Sequence, residues 1–184
     1  GDYLMLKLRD ASLEIILIIL IGGLIGATLA MVCNLFVIGV HWFEQQREAS
    51  TLFSLNIGDQ LLSFSSVIFL WIAAAIVVAL KVGFGIARWT GPADSIYAAH
   101  QINEPLNIKT GLASTLAAFT AASGGASVGQ YGPLVHFGAT MGVWVKRFVS
   151  SRLSHEVYLG CGVAAAISAG FNAPIAGVIF AHEA

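Results

Sequence analysis

Charge is scarce in this chain. Asp, Glu, Lys and Arg make up 10% of its 184 residues, where a soluble domain carries about 25%, so much of the surface is not built for water. The formal net charge of −1 leaves neither the basic footprint of a nucleic-acid binder nor the polybasic patch of an electrostatic membrane anchor. Cysteine is scarce too, at two residues. Cys33 and Cys161 both fall in apolar stretches, where a free thiol behaves as a small hydrophobe. Neither a disulfide framework nor a metal cluster is expected, and no cofactor motif is present.

What fills the chain instead is apolar: 57% of residues are hydrophobic. Four stretches hold no Asp, Glu, Lys or Arg, at 15–40, 61–80, 110–145 and 157–181. About 20 apolar residues cross the hydrocarbon core of a bilayer as a helix, so each stretch is long enough to span. The expectation is an all-α, multi-pass integral membrane protein, in a bacterial inner membrane or another plasma membrane, with lipid as a partner. The N-terminus imitates a secretory signal, with Lys7 and Arg9 ahead of an apolar run. That run continues to Val40, well past the 7–15 or so residues of a signal's apolar region, and is read as a retained first span. Gly1 in place of Met reads as a processed or engineered start. The pattern still runs as a helix at Ala184, so a single transmembrane domain over 1–184, part of a longer protein, is expected.

The first span is expected from Ala11–Leu13 to Trp42–Gln46, with Trp42 and Phe43 at an interface. A short polar linker follows over 48–59, then a second span over 60–88, with Lys81, Arg88 and Trp89 able to reach the far interface by snorkelling. Thr90-Gly91-Pro92-Ala93-Asp94-Ser95 reads as a turn and helix start, because Pro suits the first helical turn and Asp or Ser can cap it. That short helix should reach Gln101, and a third apolar helix should follow Pro105, over 106–122.

The uncharged run 110–145 is 36 residues long, too long for one straight span at 1.5 Å per residue. Residues 123–133, Ser-Gly-Gly-Ala-Ser-Val-Gly-Gln-Tyr-Gly-Pro, supply a break, with Pro133 expected at the first position of a new helix reaching Phe148 and an interface at Lys146, Arg147 and Arg152. The next helix, over 154–169, ends at a second break, Gly170-Phe171-Asn172-Ala173-Pro174, and a last helix starts at Pro174. Unwound backbone at membrane depth survives only where protein or a polar cavity satisfies it. Helices that begin at such breaks present free N–H groups and a positive dipole end, which bind anions without a fixed charge. Small-xxx-small spacings at Gly22/Gly26, Gly125/Gly129 and Gly138/Gly142 point to helix packing, and Asn34 to interhelical glue.

Gly129-Gln130-Tyr131-Gly132-Pro133-Leu134-Val135-His136-Phe137-Gly138-Ala139 resembles the Gly-Arg/Lys-Glu-Gly-Pro-x-Val-His-Ile-Gly-Ala pattern of the CLC family of chloride channels and proton/chloride exchangers. Residues 160–183, with Ala164-Ala165-Ala166, Phe171-Asn172-Ala173-Pro174 and Gly177-Val178-Ile179-Phe180, resemble that family's Ala-rich helix, Phe-x-Ala-Pro break and Gly-x-x-Phe-x-x-Glu ending. The resemblance is close from Ser123 onward and extends by helix order to about residue 15. It implies a polytopic bundle with broken helices, the first of two inverted repeats, in a homodimer whose subunits each hold a pore for chloride or another small anion. It places Gly129, Gln130, Tyr131, Gly132 and Pro133 on the anion pathway.

Three departures qualify what the resemblance implies. Tyr131 stands at the family's gating glutamate, and a phenol does not ionise alongside carboxylates near neutral pH. Glu183 matches the first acidic residue at the end of the last helix, on the intracellular side, while Ala184 stands where exchangers place their internal proton glutamate. Passive rather than proton-coupled anion transport is therefore expected. Asp94, by alignment of residues 93–97 with the family's Gly-Ser-Gly-Ile-Pro loop, falls on the anion-contacting serine; a one-residue shift puts Ser95 there, and the sequence leaves both open. The competing reading is a non-conducting degenerate transporter or membrane scaffold, with Tyr131 plugging the path and Asp94 repelling anions. An enzyme is disfavoured, since Ser127 and His136 lack a supporting third group. His136 is expected to bond neighbouring backbone, His41 and His155 to sit at interfaces, and His182-Glu183 to be no metal motif.

Overall fold

A computed structural model describes residues 2–50, 54–57, 60–100, 106–149 and 153–183. Asp59, Gln101, Pro105, Arg152 and Ala184, used above as boundaries or as the vacant proton station, lie outside the described residues.

Among the described residues, seven helices and one short hairpin follow in order: α1 (Asp2–Ala49), β1 (Ser54–Ile57), β2 (Gln60–Ser63), α2 (Ser65–Phe84), α3 (Pro92–His100), α4 (Ile108–Ser123), α5 (Tyr131–Lys146), α6 (His155–Phe171) and α7 (Pro174–Glu183). The architecture is all-α apart from the hairpin. Among the described residues, two helical segments are long and apolar enough to cross a bilayer, Gly22–Ala49 within α1 and Ser65–Phe84. Helix α2 buries only Ser65 and Ala73, while Trp71 and Val82 are more than 70% exposed. A surface this apolar is stable only in an apolar solvent.

The first helix is longer than its apolar run suggests. At 1.5 Å per residue its 48 residues extend about 72 Å, against roughly 30 Å of hydrocarbon. Polar residues at both ends continue the helix, because Asp, Lys, Glu and Gln are compatible with helical geometry outside the membrane. Of the linker expected over 48–59, Glu48 and Ala49 belong to α1 and Ser54–Ile57 form β1, paired with β2 so that Leu55 lies opposite Leu62 and Ile57 opposite Gln60. Helix α2 starts five residues later than expected and ends at Gly85, whose left-handed φ of 64° turns the chain.

Helices α5 and α6 form the centre as an antiparallel pair. Ala139 and Ala166 are fully buried, and small residues let the backbones touch: a Cβ at Gly162 would fall on the carbonyl of Gly138, and one at Gly142 on the carbonyl of Tyr158. The packing expected of Gly138 and Gly142 is therefore met against α6. Gly22 and Gly26 are different, with no atom within 4 Å of an added Cβ, and Asn34 is exposed. Helix α7 folds back on α6 through Gly177, where a Cβ would meet Ser168 and the Ala164 carbonyl. On the other side, Phe36 of α1 packs edge-on to Phe119 of α4 at 5.3 Å and stacks with Phe137 of α5 at 6.0 Å.

The first break occurs where expected, while the second is shorter, because α6 runs two residues past its expected end and takes in Gly170 and Phe171. Helix α4 stops at Ser123, and the chain runs irregularly until α5 begins at Tyr131, two residues earlier than expected, so Pro133 occupies the third helical position. Pro is tolerated there because first-turn N–H groups have no intrahelical partner. Gly125 (φ 99°) and Gly129 (φ 51°) adopt backbone conformations that side chains disfavour, which is why the break needs them. Arg47, at the end of α1, donates to the Ser123 carbonyl at 3.4 Å, placing a cation at the C-terminal end of α4. At the second break Asn172 caps α6 in the left-handed region (φ 51°), and Pro174 opens α7 at the first position.

Candidate functional site at the helix breaks

Each break delivers a helix start, and three parts of the chain meet around them. The ring of Pro92, first residue of α3, lies 3.4 Å from where a Cβ of Gly132 would stand, so the first turns of α3 and α5 touch. Tyr131 stacks on Phe171, with ring centroids 4.3 Å apart and planes 21° from parallel. The stack ties the start of α5 to the break before α7. An added Cβ at Gly170 would meet the Tyr131 ring at 3.3 Å, so the glycine makes room for the phenol. Tyr131 is 40% and Phe171 54% exposed, so the stack keeps an open face.

Asp94 and Ser95, the two residues aligned with the anion-contacting position, have opposite surroundings. Asp94 Oδ2 accepts from the backbone N–H of Gly91 at 2.8 Å, the return half of a capping box. Its Oδ1 pairs with Arg88. The carboxylate thus starts α3 and has a cation beside it, which offsets its repulsion of anions. Ser95 points inward, 1% exposed, and its hydroxyl lies 2.7 Å from His136 Nδ1. It also lines a cavity of about 200 Å³ between α3, α5, α6 and α7, with His100, Val135, Glu156 and Leu159 among the other walls.

His136 does not bond neighbouring backbone through its ring, as expected from the sequence, but two hydroxyls. Nε2 lies 2.9 Å from Thr90 Oγ1, opposite the Ser95 contact. Thr90 in turn meets Ser114 of α4 twice, through its N–H at 2.9 Å and its hydroxyl at 3.1 Å. Sequence reading missed Thr90 and Ser114; their positions, 24 residues apart and on separate elements, leave no local signal.

Gly129, Gln130, Tyr131, Gly132 and Pro133 are contiguous at the start of α5. Ser123 Oγ and Gln130 Oε1, at the two ends of the break, are buried and without a hydrogen-bond partner among the described residues. Buried polar atoms are normally paired, and both of these are side-chain oxygens at the ends of the break. Glu183 is remote from the junction in sequence order, in the last turn of α7, and exposed. No group of three or more His, Cys, Asp or Glu suited to a metal occurs among the described residues.

A family model described as "Voltage gated chloride channel" matches residues 87–184, from the turn before α3 to the end. The chain belongs to that family. The matched region contains the α3–α5 junction, both breaks and the His136 network. Among relatives, the H(+)/Cl(-) exchange transporter ClcA of Yersinia pseudotuberculosis is 31% identical over 193 aligned residues, covering 95% of this chain and 37% of that protein. A putative chloride channel protein, ClcB-like, of Ralstonia nicotianae is 28% identical, covering 60% of this chain and 28% of that protein. An uncharacterized chloride channel protein of Schizosaccharomyces pombe is 35% identical over 91 residues, covering 47% of this chain and 13% of that protein. The chain thus spans between 13% and 37% of the length of these relatives. Membership of the chloride channel family, with two helical segments suited to a bilayer, makes this an integral membrane protein.

Proposed function

We propose that this chain is the first repeat of a multi-pass, passive anion transporter, and that chloride or a similar small anion crosses at the junction of α3 and α5. The observation that carries the reading is the contact of two helix starts at Pro92 and Gly132, next in sequence to Tyr131, which stacks on Phe171. Free first-turn N–H groups and the positive ends of two helices attract an anion at low dielectric. Neutral donors hold it without the strong binding a buried lysine would impose, and conduction requires that an ion can leave. Ser95 is the side-chain donor in this reading; Asp94, paired to Arg88 and bonded to Gly91, organises the start of α3. Gly129, Gln130, Gly132 and Pro133 shape the α5 end of the path.

Tyr131 occupies the gate. Stacked on Phe171, it narrows the path with an aromatic pair and places no carboxylate there. Transport is then uncoupled. Glu183 belongs to the cytoplasmic side of the path in this reading. The unpartnered Ser123 and Gln130 oxygens are covered in the complete protein by a second, inverted repeat, and two such proteins pair as a homodimer.

Flux measurement tests the reading. The complete protein in liposomes, with an outward chloride gradient and a potassium ionophore to balance charge, is expected to release chloride well above protein-free vesicles. Vesicles that stay as tight as the control would instead identify a non-conducting member of the family.

A further inference from the structure

Resting on the reading of Ser95 as an anion donor, we propose that His136 is a positioning residue. It is held as the Nδ1–H tautomer and turns the Ser95 hydroxyl proton toward an anion in the adjoining cavity. The contacts run in one chain, Ser114–Thr90–His136–Ser95, and its hydrogen atoms can be assigned in only two directions. In one, the Ser114 hydroxyl donates to Thr90 Oγ1 while accepting from the Thr90 N–H. Thr90 donates to His136 Nε2, and His136 Nδ1–H donates to Ser95 Oγ. One proton is left over, the Ser95 hydroxyl's, and Ser95 lines the cavity of about 200 Å³, where a ligand can accept it.

Reversing the direction leaves the spare proton on Ser114, which then accepts from both the N–H and the hydroxyl of Thr90. Ser114 is buried and does not line that cavity. An unmet buried donor carries its full desolvation penalty, so the chain is best satisfied with its free end at the cavity. A neutral imidazole has one donor and one acceptor nitrogen, and fixing the acceptor role at Nε2 fixes the donor role at Nδ1. His136 reaches the anion only through Ser95. Of the three polar side chains at the cavity, His100 is exposed and Glu156 half-buried; Ser95 alone is sealed into the network.

The test uses the complete protein with 15N-labelled histidine, assigning the His136 signals by their loss in His136→Asn. Chloride binding is followed by calorimetry in detergent. A protonated-type shift at Nδ1 and an acceptor-type shift at Nε2 are expected; the opposite assignment overturns the proposal. Asn places its amide N–H where Nδ1–H stood, whereas Gln reaches the Nε2 position. His136→Asn should therefore keep chloride affinity within about threefold, and His136→Gln and His136→Ala should weaken it about tenfold. If His136→Asn binds as weakly as His136→Ala, or His136→Gln binds like the unmodified protein while Ser95→Ala binds weakly, His136 does not orient the donor. If Ser95→Ala binds chloride at full affinity, the underlying anion assignment of Ser95 fails, and the proposal with it. That failure is recognised because the histidine shifts still report Nδ1–H.

Discussion

Tyr131→Glu in the complete protein should make anion flux rise as pH falls from 8 to 4. The substituted carboxyl enters the junction where α3 and α5 begin, at a residue that now stacks on Phe171. Ionised, it is attracted by the same N–H groups and dipole ends that attract the anion, and it occupies their place. Protonated, it loses that attraction and withdraws. Two pH units above its pKa a carboxyl is only about 1% protonated, so the change across the range should be on the order of tenfold or more. The unmodified protein, with a phenol at this place, should change far less. Flux that stays flat in Tyr131→Glu from pH 4 to 8 would mean that position 131 lies off the path.

Gly162→Val should prevent the protein from folding to a monodisperse species in mild detergent. The added atoms would overlap the Gly138 carbonyl and approach the Gly142 nitrogen. All of these belong to helix backbone, which cannot yield as a flexible side chain does. Overpacking costs about 1–3 kcal/mol and occasionally more; here the only relief is to separate α5 from α6, which also pulls apart the residues around Ala139 and Ala166. Gly162→Ala should lower the thermal midpoint in the same direction by less. Gly22→Val is the matched control: nothing lies within 4 Å of its Cβ, so its effect should stay within about 0.5 kcal/mol. Equal midpoints for Gly162→Val and the unmodified protein would contradict the close α5–α6 contact.

The sequence discloses those parts of the fold that depend on local chemistry. Pro92 and Pro174 mark helix starts because their missing N–H is harmless only in the first turn, and the glycines of 123–133 mark a break because the backbone there needs conformations that side chains resist. Elsewhere a local signal was present but outweighed. Gly58-Asp59 between two short runs is a hairpin signal, yet the polar linker reading absorbed it. The same spacing of glycines packs at 138 and 142 but not at 22 and 26, since spacing says nothing about whether a partner helix is there.

The site was half legible. The contiguous residues 129–133 could be read as one unit, while the choice between Asp94 and Ser95 turns on facts outside the segment. Arg88 sits six residues upstream of Asp94, and His136 lies 41 residues beyond Ser95. Likewise the Tyr131–Phe171 stack joins residues 40 apart whose only sequence mark is that each sits at a break. Non-local pairing of this kind is set by how helices pack, which the order of residues along one helix does not encode.

We propose that an aromatic gate at Tyr131 passes anions without moving protons. Liposomes carrying the complete protein and a pH-sensitive dye, with a chloride gradient and no imposed pH gradient, test it directly. The account predicts chloride movement with no change in internal pH beyond that of protein-free vesicles. Proton uptake driven by the chloride gradient and continuing against the proton gradient it builds would contradict it.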